Sequence, residues 1–369
     1  MKKWFSINAI GTLDSPALII FPERVRANIQ LAISMVDEIS RLRPHIKTNK
    51  SSAAINLMMA AGITKYKCAT IAEAELLGIC GAKDVLLAYQ PTGPKLLRFI
   101  KVIQEYPSTH YSCVTDSIDA GKEQSKEFAT AGLKIPVYID LNVGMNRTGI
   151  APGEDAIQLY SFLSSAPGIT VAGLHAYDGH IRDLDMNTRT KACDESFKLV
   201  TDLKQKLESS GMRVPVIIAG GSPTFPIHAQ RKGIECSPGT FIYWDNGYLT
   251  SCPEQCFLPA AVLITRIISI PVPGKICTDL GHKSVAAENE IARRVFFLNA
   301  ADIQPVSQSE EHLVADVPPD HSYKVGDILY CLPFHVCPTV ALYERSFTIE
   351  NGNVTGEWKH EARDKYIRF

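Results

Sequence analysis

From about residue 43 to residue 241 the sequence alternates between short apolar runs and longer amphipathic ones, and this alternation limits the fold more than any other feature. The short runs, at 43–48, 65–69, 84–88, 110–114, 136–141, 170–177, 214–219 and 234–241, are strand candidates. Several are rich in Val and Ile and apolar on both faces, as parallel strands covered by helices must be. Helical periodicity fills the gaps at 71–77, 95–105, 117–130, 153–163, 189–208 and 224–231. An earlier helix opens at Pro22, with Val25, Ile29, Ile33 and Val36 on its apolar side. Eight strand–helix units in about 230 residues fit a (β/α)8 TIM barrel. The alternative is an open doubly wound sheet. When such a sheet binds a dinucleotide it carries a Gly-rich turn after its first strand, and none is present here.

Near residue 250 the long helical patterns stop. Strand-like runs follow at 261–270, 275–280, 295–298, 312–317, 327–332 and 340–349, with turn signals at Pro271-Val272-Pro273-Gly274 and Asn351-Gly352-Asn353. The expected organisation is an α/β barrel over residues 14–250 and an all-β domain over 251–369, joined by a strand from residues 1–13.

A length of 369 residues, 46% of them hydrophobic, is ample for two such cores. The formal net charge of −1 gives no support for a nucleic-acid or membrane-surface role. No apolar run reaches transmembrane length. Met1-Lys2-Lys3-Trp4-Phe5-Ser6 lacks the apolar stretch and small-residue cleavage site of a signal peptide. Ten cysteines, mostly in apolar runs, read as the reduced thiols of a cytoplasmic protein. Cys252 and Cys256 form a close pair whose spacing matches no strong metal signature, and they read as structural.

Chemistry in a parallel barrel sits at the carboxyl ends of its strands. The first candidate strand ends in Arg43-Pro44-His45-Ile46-Lys47, placing an amine where burial can deprotonate it for imine formation with an aldehyde. The fifth is followed by Gly144-Met145-Asn146-Arg147-Thr148-Gly149. The sixth ends in His175-Ala176-Tyr177. After the seventh, Gly220-Gly221-Ser222 leads into a helix, and backbone N–H groups at a helix start suit a phosphate. Ser237-Pro238-Gly239-Thr240 at the eighth completes that cradle. Taken singly, Lys47 is a surface charge, Arg147 a salt-bridge residue, Tyr177 a packing residue and Gly220-Gly221-Ser222 a turn. Together, on one face, they point to pyridoxal phosphate.

A second centre lies in the β domain, in Phe334-His335-Val336-Cys337-Pro338. In an extended segment, side chains two apart point the same way, so His335 and Cys337 could share one metal ion. Imidazole with thiolate favours zinc, with manganese, magnesium and cobalt as alternatives. The bland reading is a buried Cys beside a surface His.

These pieces resemble the fold-type III pyridoxal phosphate enzymes, whose N-terminal domain is alanine racemase-like, and among them the group of D-serine dehydratases and D-threonine aldolases. The resemblance runs over nearly the whole chain. Arg43-Pro44-His45-Ile46-Lys47-Thr48 matches that group's Pro-His-x-Lys-Thr motif, which implies that Lys47 is the Schiff-base lysine. Gly144–Gly149 looks like the loop whose arginine, here Arg147, contacts the cofactor's phenolic oxygen. Gly220, Gly221 and Ser222, with Gly239 and Thr240, look like its phosphate cradle. His335-Val336-Cys337-Pro338-Thr339-Val340 is similar to the dehydratases' metal motif, and Trp358–Arg363 to the group's closing segment. Two residues depart from the pattern. Asn49 stands where a second histidine is frequent, and Ser237 where alanine racemases carry an arginine toward the pyridine nitrogen.

The resemblance implies a D-amino acid substrate with a β-hydroxyl, Lys47 as the base at Cα, and a metal on His335 and Cys337 that grips the hydroxyl. Cys337, where the aldolases are expected to carry aspartate, points to D-serine dehydratase-like elimination to an α-keto acid and ammonia. The alternative is D-threonine aldolase-type cleavage to glycine and an aldehyde, with His45, or a water it holds, taking the hydroxyl proton. A racemase would need a second base, for which Tyr330 and Tyr343 are candidates. A non-catalytic cofactor-binding protein would lack the β domain. The resemblance also implies a homodimer with active sites at the interface.

Overall fold

Strands that are apolar on both faces can be buried only by helices packed on the sheet. The computed structural model describes residues 3–369 and forms such a sheet. The chain divides into two units. One comprises Met1–Gln30, Thr48–Ala54 and Thr240–Arg363, and the other Leu31–Lys47, Ile55–Gly239 and Asp364–Phe369. The first strand of the chain, β1 (Ala17–Ile20), belongs to the former. The latter, the α/β unit, holds β2 (Lys65–Cys68), β3 (Asp84–Leu87), β4 (His110–Thr115), β5 (Ile135–Leu141), β6 (Ile169–Ala176), β7 (Val216–Ala219) and β8 (Ile234–Cys236). These pair in sequence order, each pairing parallel. Helices alternate with them at Ile71–Ile79, Pro94–Glu105, Ile118–Thr130, Glu154–Ser165, Met186–Ser209 and Phe225–Ala229. Thr70, Ser117 and Asp185 start three of these helices, each side chain accepting the N–H three residues on.

The expected first strand, 43–48, is not regular. Leu42 bridges Cys236 of β8 and His45 bridges Lys67 of β2, both in parallel sense. The Arg43 and His45 N–H groups donate to Cys236 and Pro238 carbonyls, and Ile46 N–H to Lys67 O, each at 2.9 Å. Pro44 has no N–H to give, and residues 46–49 already turn, so the pairing stops after a few bonds. Lys47 therefore sits in a turn just past the bridge. The expected strand 234–241 is likewise cut to Ile234–Cys236, because Pro238-Gly239 breaks the ladder and Thr240–Ile242 forms a 3-10 turn.

Charged side chains lie in tiers inside the α/β unit. At the start of the strands Arg43, 1% exposed, pairs with Asp84 at 2.5 Å and Glu235 at 2.7 Å, and Lys65 also reaches Glu235. One step further along lie Lys67, Asp140 and His175.

The other unit contains β1 and β9 (Ala261–Val272), β10 (Lys275–Thr278), β11 (Val295–Phe297), β12 (Gln304–Gln308), β13 (Leu313–Asp316), β14 (Ile328–Pro333), β15 (Arg345–Glu350) and β16 (Asn353–Lys359). Their order is β12-β13-β10-β9-β1-β15-β16, with β14 also on β9 and β11 on β14. The strand that the N-terminal region adds is thus β1, and the described residues 3–13 form no strand. Met1 and Lys2 lie outside the described residues, and Ile10–Thr12 is a 3-10 turn. Phe5, Ile7 and Leu13 still pack with Ile19, Val262, Leu332 and Ile349 in this unit's core. A further difference concerns 340–349: a helix, Val336–Leu342, precedes β15. Pro338 lies in its first turn, where its missing N–H would have no partner anyway.

Among the described residues no helix is long and apolar enough to cross a membrane. Replacing Arg43 by Met leaves Glu235 buried without its guanidinium. Urea unfolding of this variant is expected to show a loss of about 3–5 kcal/mol in stability, and a loss below about 1 kcal/mol would show that the inner ion pair does not hold the strands.

Candidate functional site

In the α/β unit the Tyr177 ring gathers three cationic side chains. Lys47 Nζ lies 5.8 Å from its centroid, Arg147 Cζ 5.0 Å and Lys67 Nζ 5.8 Å. Lys47, Arg147 and Tyr177, expected separately from three strand ends, thus come together. Lys67 was not among the expected residues. The sequence signal for it was a lysine inside the buried run Tyr66-Lys67-Cys68.

Two glycines let the backbone approach that ring and its neighbours. A Cβ on Gly221 would stand 3.0 Å from the Tyr177 ring. Gly220 has φ +83°, and a Cβ there would stand 2.7 Å from His228. Ser222 and Gly239 are also buried in this unit. The helix after Ser222 is only Phe225–Ala229, so the expected anion site rests on the turn itself and not on a helix terminus. Ser237, just past β8, keeps its hydroxyl buried with no hydrogen-bond partner. An orphaned hydroxyl, close-packed glycines and clustered cations fit an anionic, ring-shaped cofactor such as pyridoxal phosphate.

The turn is pinned by residues that sequence reading overlooked. Asp178 accepts from Thr224 Oγ1 and from His228 Nε2, each at 2.8 Å, and Thr224 Oγ1 accepts the Gly221 N–H at 3.2 Å. Burial raises the Asp178 pKa, but the His228 and Thr224 hydrogen bonds outweigh it, and the carboxyl stays below its usual range. Cys193 Sγ lies 3.4 Å from His228 Nε2, which brings Asp178, Cys193 and His228 within reach of one ion. Arg231 donates to His228 Nδ1 at 2.5 Å and approaches Cys193 Sγ at 3.5 Å. Burial pushes the Cys193 thiol up to about 12. A guanidinium beside a protonated thiol makes this a hydrogen-bonded brace between the Tyr177 and Gly221 turns.

His45 Nδ1 accepts the Lys47 N–H at 3.3 Å, which leaves the ring proton of the neutral imidazole on Nε2. Asn49 is 1% exposed. Its side chain accepts the Ser51 N–H at 3.2 Å, and its carbonyl accepts from His360 Nδ1 at 2.9 Å. The residue at this departure from the family pattern ties down the turn in its own unit.

In the β unit His335 is the N-cap of Val336–Leu342 and Cys337 its second residue. The expected extended geometry is absent, yet a helix start also brings the two side chains together, and they hydrogen-bond. The His335 Nδ1 is held by Glu288, which leaves Nε2 as the other ring nitrogen. A carboxylate on one imidazole nitrogen and an ion on the other is a common metal-site pattern. Glu288 gave no signal in the sequence. Cys337 Sγ lies 3.1 Å from Thr48 Oγ1 and 3.6 Å from Thr240 Oγ1. Thr240, expected in the phosphate cradle, thus has its hydroxyl by the thiol. Buried Asp245 caps the helix by accepting the Val336 N–H at 3.0 Å. The tyrosines considered as a second base are used in packing: Tyr343 Oη donates to Ser284 O at 2.7 Å, and Tyr330 packs on Phe5.

Comparison with known proteins adds the following. The family model for the alanine racemase N-terminal domain matches residues 20–247, and a serine dehydratase domain model matches 260–349. The chain is 24% identical over 361 residues to a D-threonine aldolase of Arthrobacter sp, covering 96% of this chain and 94% of that protein. The crystal structure of D-threonine aldolase from Filomicrobium marinum superposes with TM-score 0.88 at 24% identity, covering 97% and 98% of the two chains. D-threo-3-hydroxyaspartate dehydratase from Delftia sp. HT23 superposes with TM-score 0.81 at 21% identity, covering 95% and 98%.

The buried Asp140 offers a pH test. Burial raises its pKa, but hydrogen bonds from His175 and Thr148 and the charge of Lys67 prevail and hold it below the usual range. A carboxyl lowered on folding stabilises the fold above its unfolded pKa of about 4 and loses that contribution as pH falls through the folded value. Asp140→Asn is therefore expected to flatten the fall in stability below about pH 4, as read by denaturant melts at several pH values. An unchanged acid limb would refute this.

Proposed function

Since the chain belongs to the family of the alanine racemase N-terminal domain, and is thus a pyridoxal phosphate-dependent enzyme of fold type III, we propose that it is a metal-dependent lyase cleaving D-β-hydroxy amino acids in the manner of an aldolase. The observation that carries the reading is the end-to-end alignment with the Arthrobacter D-threonine aldolase. That alignment reverses the order in which Cys337 alone ranked dehydration and aldol cleavage. Dehydration is kept as the second reading, because the β unit matches the serine dehydratase domain model and carries His-x-Cys.

Pyridoxal phosphate, when bound, supplies a sink for the electron pair released at Cα, and a divalent metal supplies a Lewis acid for the β-hydroxyl. Lys47 would hold the cofactor as its imine and, once freed, exchange a proton at Cα. Arg147 would face the cofactor's anionic ring oxygen, and Tyr177 would bound its ring. Gly220, Gly221, Ser222 and Gly239 would take the phosphate through backbone and hydroxyl donors, whereas Thr240, also expected there, has its hydroxyl turned to Cys337. Ser237, neutral, would leave the pyridine nitrogen without a charged partner, so the sink is weaker and the metal carries more of the activation. His335 and Cys337 would hold that metal, with zinc the first candidate and manganese, magnesium and cobalt behind it. His45 Nε2–H would hold a water in place, through which the hydroxyl proton passes to solvent. A homodimer in the cytoplasm acting on a small D-amino acid completes the reading.

With D-threonine, pyridoxal phosphate and a divalent metal, glycine and acetaldehyde are the expected products. Appearance of 2-oxobutanoate and ammonia instead would establish dehydration. Lys47→Ala should abolish the imine absorbance and lower activity by at least about a thousandfold. Cys337→Ala should lower metal content and activity together, with intact cofactor absorbance. Full activity in metal-stripped Cys337→Ala protein would rule out the metal role.

A further inference from the structure

Lys67 is 3% exposed, and no step of the proposed reaction uses it. It projects from β2 into the tier below Tyr177. Its Nζ lies 3.3 Å from His175 Nε2, and His175 Nδ1 lies 2.7 Å from Asp140 Oδ1. Thr148 Oγ1 donates to the other Asp140 oxygen at 3.0 Å. Asp140 is thus fixed from two sides and orients the imidazole. Nδ1 carries the proton toward the carboxylate, and Nε2 turns its lone pair to the amine. A nucleophile within hydrogen-bond reach of a base, with the base oriented by a third group, is the arrangement that activates serine and cysteine in hydrolases. Here the nucleophile position holds an amine.

We propose that Lys67 is a second carbonyl-reactive amine of this protein, a site that takes small aldehydes as imines with His175 and Asp140 as its proton relay. The amine nitrogen attacks the carbonyl carbon, and His175 Nε2 takes one amine proton and passes it to the carbonyl oxygen, giving a neutral carbinolamine. His175 Nε2 then takes the second amine proton and delivers it to the hydroxyl, which leaves as water as the C=N bond forms. Atoms balance as amine plus aldehyde to imine plus water, and nothing is oxidised or reduced. Burial and the nearby Lys47 charge lower the Lys67 pKa to about 7, so the free amine is abundant at neutral pH. The charged and titratable groups that act on it come from several elements: Lys47 and Arg43 from the segment before β2, Asp140 from β5, His175 from β6 and Asp178 from the turn after it. Arg147 and Tyr177 stand above, at the ring that Lys47 shares. The inference goes beyond the lyase reading and needs neither the cofactor nor the metal. If the lyase reading holds, an aldehyde product is one natural ligand of the site.

The test uses native protein, with and without added pyridoxal phosphate, treated with acetaldehyde and cyanoborohydride and mapped by peptide mass spectrometry. In cofactor-free protein Lys67 should be alkylated at least about tenfold faster at pH 7 than the exposed Lys198 and the half-exposed Lys204, with half-maximal rate near pH 7. His175→Asn, which keeps an acceptor for the amine but carries no proton, should slow that labelling severalfold without affecting Lys198. Labelling of Lys198 and Lys204 with Lys67 unmodified, in cofactor-free folded protein, overturns the proposal. So does Lys67 labelling that keeps the pH profile of an ordinary lysine. The lyase reading has its own readout, the borohydride-reduced pyridoxyl adduct at Lys47, so either conclusion can fail while the other stands.

Discussion

Residues 42–46 hydrogen-bond on one side to β8 and on the other to β2, and much else in the α/β unit depends on that short pairing. It is held by few bonds because Pro44 interrupts it and the turn at 46–49 ends it. The ion pairs of Arg43 with Asp84 and Glu235 reinforce it from inside. Buried charges are costly to desolvate, so this cluster is stable only while each partner stays in place. The same segment then delivers His45 and Lys47 to the end of the sheet. Fixing the lysine backbone there limits where its amine can reach, as the proposed imine role requires.

The α/β unit therefore buries charged side chains in tiers beside an apolar cluster of Leu86, Val114, Tyr138 and Ile218. Arg43, Asp84, Glu235 and Lys65 form the first tier. Lys67, Asp140 and His175 form the second, and Lys47, Tyr177 and Arg147 stand at the mouth. Each tier couples electrostatically to the next, as the effect of Lys47 and Arg43 on Lys67 shows. The brace of Asp178, Thr224 and His228 fixes the Tyr177 and Gly221 turns from outside this stack. In the β unit one carboxylate, Asp245, caps the helix that starts at His335, and another, Glu288, orients the imidazole. Each unit thus uses a carboxylate to aim a histidine, buried in the α/β unit and exposed in the β unit.

The sequence by itself determined the parallel strands β2–β8, their helices and the change of style near residue 250, because periodicity and burial on both faces are local properties of the chain. It also singled out Lys47, Arg147 and Tyr177, since strand-end position is enough to bring such residues to one mouth. Motif spacing marked His335 and Cys337 as a pair, although the expected extended geometry gave way to a helix start. What only the tertiary structure decided was everything that depends on partners distant in the chain. The 42–46 segment pairs with two strands instead of forming one, β1 and not residues 3–13 joins the β sheet, and Thr240 turns its hydroxyl to Cys337. Lys67, Asp178 and Glu288 acquire their chemistry from neighbours far apart in sequence, 46 to 108 residues away in the contacts that matter most. Periodicity carries no information about such meetings, because they are set by how whole elements pack and by which buried polar groups must find one another.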